Sequence, residues 1–146
     1  MVTIPIALTK RGSKIPSKAY LADAGYDLSS NEELCIKPFE RALISTGVSI
    51  AIPNGFAGFI IPRSGLAIKQ GLSLVNAPGL IDSNYRGEIK VIAVNLDSQN
   101  EINIKPGDRI AQLVVMKVED IQFEKCTILE DSERGTGGFG SSGVSD

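Results

Sequence analysis

A chain of 146 residues that is 42% hydrophobic and 22% charged can build one domain around one core, and its composition fits neither a disordered nor a membrane-embedded protein. A net charge of −2 lacks the basic excess of a nucleic-acid-binding surface, and no apolar run reaches the length of a membrane span. The chain holds no histidine, which excludes Ser-His and Cys-His nucleophilic catalysis and most zinc sites and leaves a carboxylate as the expected general base.

The opening MVTIPIALTKRG has no uninterrupted apolar stretch of the kind a signal peptide needs. ADAGYDLSS (22–30) places Asp27 after a glycine turn, where a plain turn carboxylate is the simplest reading. Cys35 and Cys126 lie far apart and match no metal or redox spacing, so reduced, buried thiols in a cytoplasmic protein are expected. RALISTGVSIAI (41–52) and FAGFII (56–61) are aliphatic, partly β-branched runs that stop at PNG and PRSG and read as strands. SGLAIKQG (64–71) predicts the one short helix, opened by Ser64 and closed by Gly71. Arg63 and a hydroxyl at a helix mouth suit an anion such as phosphate, although an ordinary cap beside a solvated arginine explains the residues as well.

NAPGLIDSNYRGEIKV (76–91) is the densest stretch. Its DSNY predicts a hairpin turn flanked by Asp82 and Tyr85, either a base beside a stacking ring or a structural turn with a packed tyrosine. EIKVIAVNL (88–96) alternates in part, with Ile89, Val91 and Ala93 opposing Lys90, Ile92 and Val94, and EINIKPGDRIAQLVVMKV (101–118) reads as a short strand, a Pro-Gly turn and a long strand. Asp108 and Arg109 are placed to pair at that turn. Gln112 needs a partner inside IAQLVV, either a ligand or, more commonly, backbone. Residues 1–20 and 119–133 are expected to contain strands. Turn signals about every ten residues predict an all-β antiparallel sandwich or barrel. The composition changes near residue 134, giving a core of 1–133 and a Gly/Ser-rich tail of 134–146. Residues 135–140 fit GxGxxG, but too few residues follow for the helix and acidic partner of a dinucleotide site.

In this order, AGYDL, PRSGLA, GLIDSNYRGEI, GDRIAQL and RGTGGFGSSG resemble the five motifs of the trimeric dUTPases, the deoxyuridine triphosphate nucleotidohydrolases, across residues 24–143. The resemblance implies an all-β, jelly-roll-like β-clip subunit with one short helix, and a homotrimer whose active sites lie at subunit interfaces. It implies hydrolysis of dUTP to dUMP and pyrophosphate with Mg²⁺ on the triphosphate, supplying dUMP for thymidylate synthesis and keeping uracil out of DNA. By this resemblance Asp82 is the general base for the attacking water, and Tyr85 packs on the deoxyribose and rejects a 2′-hydroxyl. Asn76 and backbone groups of Leu80 and Ile81 read the uracil. Arg63, Ser64, Gly65 and Gln112 hold phosphate, Lys90 is a further ligand, and Asp27 meets the metal through water. The tail is implied to be a lid, with Phe139 on the uracil and Arg134, Thr136, Gly138 and Ser141 on the phosphates. A dCTP deaminase on the same fold would carry an acidic base on the strand after Gly87, where this sequence has Ile92. A non-catalytic binding module is the other alternative, opposed by the intact set of Asp82, Tyr85, Arg134 and Phe139.

Overall fold

The computed structural model describes residues 2–138. Among them the elements run β1 (Ile6–Leu8), β2 (Tyr26–Ser29), β3 (Leu34–Ile36), β4 (Arg41–Ile50), β5 (Phe56–Ile61), α1 (Ser64–Gln70), β6 (Leu72–Leu74), β7 (Gly79–Ile81), β8 (Ile89–Asn95), β9 (Ile102–Ile104) and β10 (Arg109–Lys117). The strands form two four-stranded sheets, ordered β1-β4-β8-β6 and β2-β10-β5-β7, plus the pair β3-β9. Every pairing is antiparallel. The fold is mostly β with one short helix, and the sheets stay open.

The alternation of apolar and polar residues explains the layering. On β8, Ile89, Val91 and Ala93 are buried, and Lys90 between them faces out. A single buried cluster joins the sheets: Ile44 and Leu74 with Val91 from the first, Leu28, Ile60 and Leu113 from the second, Ile36 and Ile102 from the pair. Asn95 is a polar member of this interior. Its amide nitrogen donates to the carbonyls of Ile36 (2.9 Å) and Asn100 (2.8 Å), and its oxygen accepts from the Asp97 N–H (2.9 Å), so its burial leaves nothing unpaired.

Several expectations change. Both cysteines are exposed, because Cys35 lies on the outward face of a short strand whose buried neighbour is Ile36. Residues 119–133 contain no strand. Ile121, Phe123, Ile128 and Leu129 are exposed there, and this segment pairs with no strand of its own chain. The helix ends as expected at Gly71, a left-handed residue (φ 69°) whose N–H caps the Ala67 carbonyl at 3.0 Å. It does not open on a serine cap: Arg63 is the extended N-cap residue, without a side-chain cap bond, and Ser64 is already helical. The 76–91 stretch is not a hairpin either. β7 pairs with β5 and β8 with β4 and β6, so the Asp82–Tyr85 turn crosses from one sheet to the other.

That crossing is pinned by an irregularity in β4. Its register with β8 runs from Arg41↔Val94 to Ser45↔Lys90 and resumes at Val48↔Ile89, leaving Thr46 and Gly47 as extra residues. The bulge turns the Gly47 N–H and the Ser45 hydroxyl onto the same oxygen of Glu88, the first at 2.7 Å, with the Lys10 ammonium 3.7 Å away. Gly47 takes φ 67°, and a side chain there would run into Ser13.

Burial alone would raise the Glu88 pKa, but hydrogen bonds from Ser45 and Gly47 and the charges of Lys10 and Lys90 outweigh it and hold the carboxyl below its ordinary value. A carboxylate more acidic when folded than unfolded contributes stability that is complete above its unfolded pKa and lost as pH falls through its folded one. Glu88→Gln lacks this titration. The melting-temperature gap between wild type and Glu88→Gln, followed by circular dichroism, should therefore be widest near neutral pH and shrink below about pH 4.

Candidate active site

The site residues fall into two clusters on one chain. The first lies where β7 turns toward β8. A hydrogen bond from the Tyr85 N–H to the Asp82 carbonyl (3.1 Å) closes the turn. Arg86 braces it by donating to the carbonyls of Ser83 (2.7 Å) and Tyr85 (2.8 Å). Asp82 is thereby presented to solvent at a strand end. Tyr85 folds back so that its hydroxyl donates to the Glu88 carbonyl at 3.0 Å. Asp82, Tyr85, Lys90, Leu80 and Ile81 share a cleft of about 510 Å³ with Glu88. A free carboxylate, a ring face and an ammonium on an apolar floor can bind a sugar and base and polarise a water.

The second cluster lies where β2, β5 and β10 meet. Gly25, Asp27, Arg63, Ser64, Gly65 and Gln112 line a smaller and more polar cleft of about 340 Å³. Asp27 is the hub: one carboxylate oxygen accepts from Arg63 Nε at 2.8 Å, the other from Arg109 Nη1 at 3.1 Å, and its side chain is only 15% exposed. Arg63 also donates to the Arg109 carbonyl at 3.1 Å. A Cβ built on Gly65 would meet no atom within 4 Å, so that glycine leaves space for a ligand. The seven-residue helix supplies little dipole, and the attraction for an anion rests on the guanidinium groups and nearby backbone donors.

Gln112 takes the more common of its two readings: its amide nitrogen donates to the Pro62 carbonyl at 3.0 Å. Its amide also packs on Gly25, where a side chain would collide with it. Asp108 and Arg109 do not pair with each other. Asp108 accepts the Lys105 N–H at 2.8 Å to form the Pro-Gly turn, and Arg109 crosses to Asp27. Asn76 sits on the exposed turn before cis Pro78, with its amide nitrogen 3.3 Å from where a Cβ of Gly79 would lie, and it lines neither cleft.

Arg134, Thr136 and Gly138 also line neither cleft. Arg134 Nε donates to the Gly137 carbonyl at 2.8 Å and the Gly135 N–H to the Ser132 carbonyl at 2.9 Å, making a compact run of turns. Phe139 and Ser141 lie outside the described residues. Among the described residues no group of three or more His, Cys, Asp or Glu is placed to hold a metal ion, and no helix is long and apolar enough to cross a membrane. Sequence reasoning did not single out Gly87 or Glu88 as site residues, and it kept Arg109 at its turn. No local sequence signal ties Arg109 to Asp27, 82 residues away in the chain.

A family model described as dUTPase matches residues 11–143. The deoxyuridine 5'-triphosphate nucleotidohydrolase of Rhodococcus erythropolis is 55% identical over 88% of this chain and 79% of its own length. That of Leifsonia xyli is 52% identical over 97% of this chain and 91% of its own. Among solved structures, the Staphylococcus bacteriophage 80alpha dUTPase with dUPNHPP superposes at a TM-score of 0.92, with 30% identity over 99% of this chain and 100% of that one. An Asp-to-Asn mutant of the dUTPase from phage phi11 of S. aureus, described with a structural Mg(II) ion, gives 0.82 at 26% identity over 89% of this chain and 100% of that one. With a family match over almost its whole length and relatives more than half identical, the chain belongs to the dUTPase family.

Proposed function

We propose that the protein hydrolyses dUTP to dUMP and pyrophosphate as a homotrimer of jelly-roll-like subunits, with each active site assembled from more than one chain. The observation that carries the assembly is the division of the site: the cleft holding Asp82 and Tyr85 and the cleft holding Arg63, Ser64, Gly65 and Gln112 share no lining residue. One cleft offers a base and a ring beside a single ammonium, the other offers guanidinium and backbone donors, and the substrate needs both. The exposed apolar residues Ile121, Phe123, Ile128 and Leu129 support the same reading, since a neighbouring chain supplies the cover they lack here.

Asp82 orients and deprotonates the water that attacks the α-phosphorus. It has the exposure this needs and, without histidine in the chain, a carboxylate is the natural base. Tyr85 sets its ring against the deoxyribose. Asn76 and the backbone at Leu80 and Ile81 read the uracil edge, and Lys90 adds a cation to the same cleft. Arg63, Ser64, Gly65 and Gln112 take the phosphates. Residues 134–146 form the lid over a core of 1–133, with Arg134, Thr136, Gly138 and Ser141 on the phosphates and Phe139 on the base. Closure of such a lid excludes water and completes the site.

Mg²⁺ fits as an ion carried in on the triphosphate. Both Asp27 oxygens already accept from guanidinium groups, and the described residues offer no carboxylate cluster, so Asp27 meets the ion's water shell rather than the ion. When bound, the ion neutralises triphosphate charge.

Wild type should release pyrophosphate from dUTP and leave UTP, dTTP and dCTP uncleaved, and Asp82→Asn should lose at least ~10²- to 10⁴-fold in kcat. A variant that keeps the wild-type rate would remove Asp82 from the chemistry. Ammonia release from dCTP would instead favour the deaminase.

The shared site is tested by mixing. Asp82→Asn and Arg63→Ala proteins, each inactive alone, should recover about a quarter of wild-type sites when unfolded together and refolded at equal amounts, as expected for two half-sites from adjacent chains. No recovery from a trimer of correct mass by light scattering would place each site within one chain.

A further inference from the structure

We propose that Gly87 and Glu88 are positioning residues that fix the Tyr85 ring and thereby set how strongly a 2′-hydroxyl is rejected. The selectivity role rests on the reading of Tyr85 as the sugar-facing ring; the positioning does not.

Tyr85 is 43% exposed and sits on a turn, where a long aromatic side chain would ordinarily sample several rotamers. Two contacts oppose this. A Cβ on residue 87 would fall 2.6 Å from the ring carbon Cζ and 3.0 Å from Cε2, so the hydroxyl end of the ring rests against bare glycine backbone. Gly87 has no unusual φ and is needed for this close approach alone. The hydroxyl donates to the Glu88 carbonyl at 3.0 Å, which fixes the far end of the ring.

A carbonyl on a turn is only as fixed as its own residue. Glu88 is held by its side chain, which is 15% exposed and anchored on the β4 bulge through Ser45 and the Gly47 N–H, with Lys10 beside it. Lys10 also donates to the Ser45 hydroxyl at 2.6 Å, so the anchor is a closed network. β8 begins at the next residue, Ile89, which is fully buried and whose carbonyl accepts from Thr46 of the same bulge at 2.5 Å. The order of constraint therefore runs from the bulge to the Glu88 carboxylate, to its main chain, to the Tyr85 hydroxyl. A ring held at its tip by both packing and a hydrogen bond cannot retreat to admit one more oxygen on a sugar, whereas a ring held only by its Cβ can.

The test compares kcat/KM for dUTP and UTP in wild type, Glu88→Ala, Glu88→Gln, Gly87→Ala, Tyr85→Phe and the Tyr85→Phe/Glu88→Ala double variant. Glu88→Ala and Gly87→Ala should narrow the dUTP-to-UTP ratio about tenfold, the scale of one lost hydrogen bond. Glu88→Gln keeps an acceptor for Ser45 and Gly47 and should restore the ratio. Tyr85→Phe should narrow it as Glu88→Ala does, and the double variant should narrow it no further. Equal losses for dUTP and UTP, or additive effects in the double variant, would overturn the selectivity role. The chain has three tyrosines, so the Tyr85 ring signal is resolvable by NMR of ¹³C-tyrosine-labelled protein without ligand. It should move or broaden in Glu88→Ala and stay in place in Glu88→Gln, and a signal unmoved in Glu88→Ala would overturn the positioning. A wild type that cleaves both nucleotides equally would overturn the functional reading and the selectivity role with it, leaving the ring signal to decide the positioning. Should Gly87→Ala not fold, the Glu88 pair still decides the matter.

Discussion

The β4–β8 ladder is the constraint on which the rest of the structure depends. It joins the ten-residue strand Arg41–Ile50 to the seven-residue strand Ile89–Asn95, and it supplies much of the core through Ile44, Val48, Ile89 and Val91. Strands pack only if their apolar faces stay in phase, and a slip of one residue would turn Lys90 inward and Val91 outward. The inserted Thr46 and Gly47 do not break that phase. They fall between Ser45 and Val48, keep both sides of the register intact, and turn polar groups toward Glu88. The same feature that interrupts regular pairing thus fixes the last residue of the segment carrying Tyr85.

The division of polar chemistry between two clefts follows from the sheet order. β7 belongs to the β2-β10-β5-β7 sheet and β8 to the other, so the Asp82–Tyr85 turn is strung between layers at one edge. Arg63 leaves the far end of β5 and meets Asp27 and Arg109 from β2 and β10, the strands on the other side of β5 from β7. A site so divided on one subunit suits a ligand with chemically distinct ends.

Much of this was legible in the sequence, and the failures share a cause. The long strands were visible because they are aliphatic, β-branched runs, β4 and β5 stopping at PNG and PRSG and β8 alternating in part, and Gly71 marked the helix end through its left-handed cap. Asp82, Tyr85 and Arg63 stood out because a carboxylate, an aromatic ring and a cation lay beside turn signals, where a ligand can reach them. What could not be read was pairing across the chain. Asp27 and Arg109 are 82 residues apart, and nothing local says that one neutralises the other. The hairpin expected at 82–85 failed because a turn signal specifies the bend but not the partner of each arm. The absence of strands in 119–133 has the same origin, since a strand needs a partner and this segment pairs with none of the edges of its own chain.

The Arg63–Asp27–Arg109 cluster shows how local neutralisation can serve binding. Two guanidinium groups against one carboxylate leave about one net positive charge at the mouth of the cleft. Without Asp27 the cations would repel each other, and their long side chains would stay disordered at an entropic cost to any ligand. With it, each arginine is held by a charge-assisted hydrogen bond, a contact typically worth roughly 1.5–3 kcal/mol before solvent screening of groups at this depth reduces it. The carboxylate therefore gives up part of the local field in exchange for order. An anion entering beside Ser64 and Gly65 meets cations already in place, and with Gln112 tied to the Pro62 carbonyl the walls around it need little rearrangement.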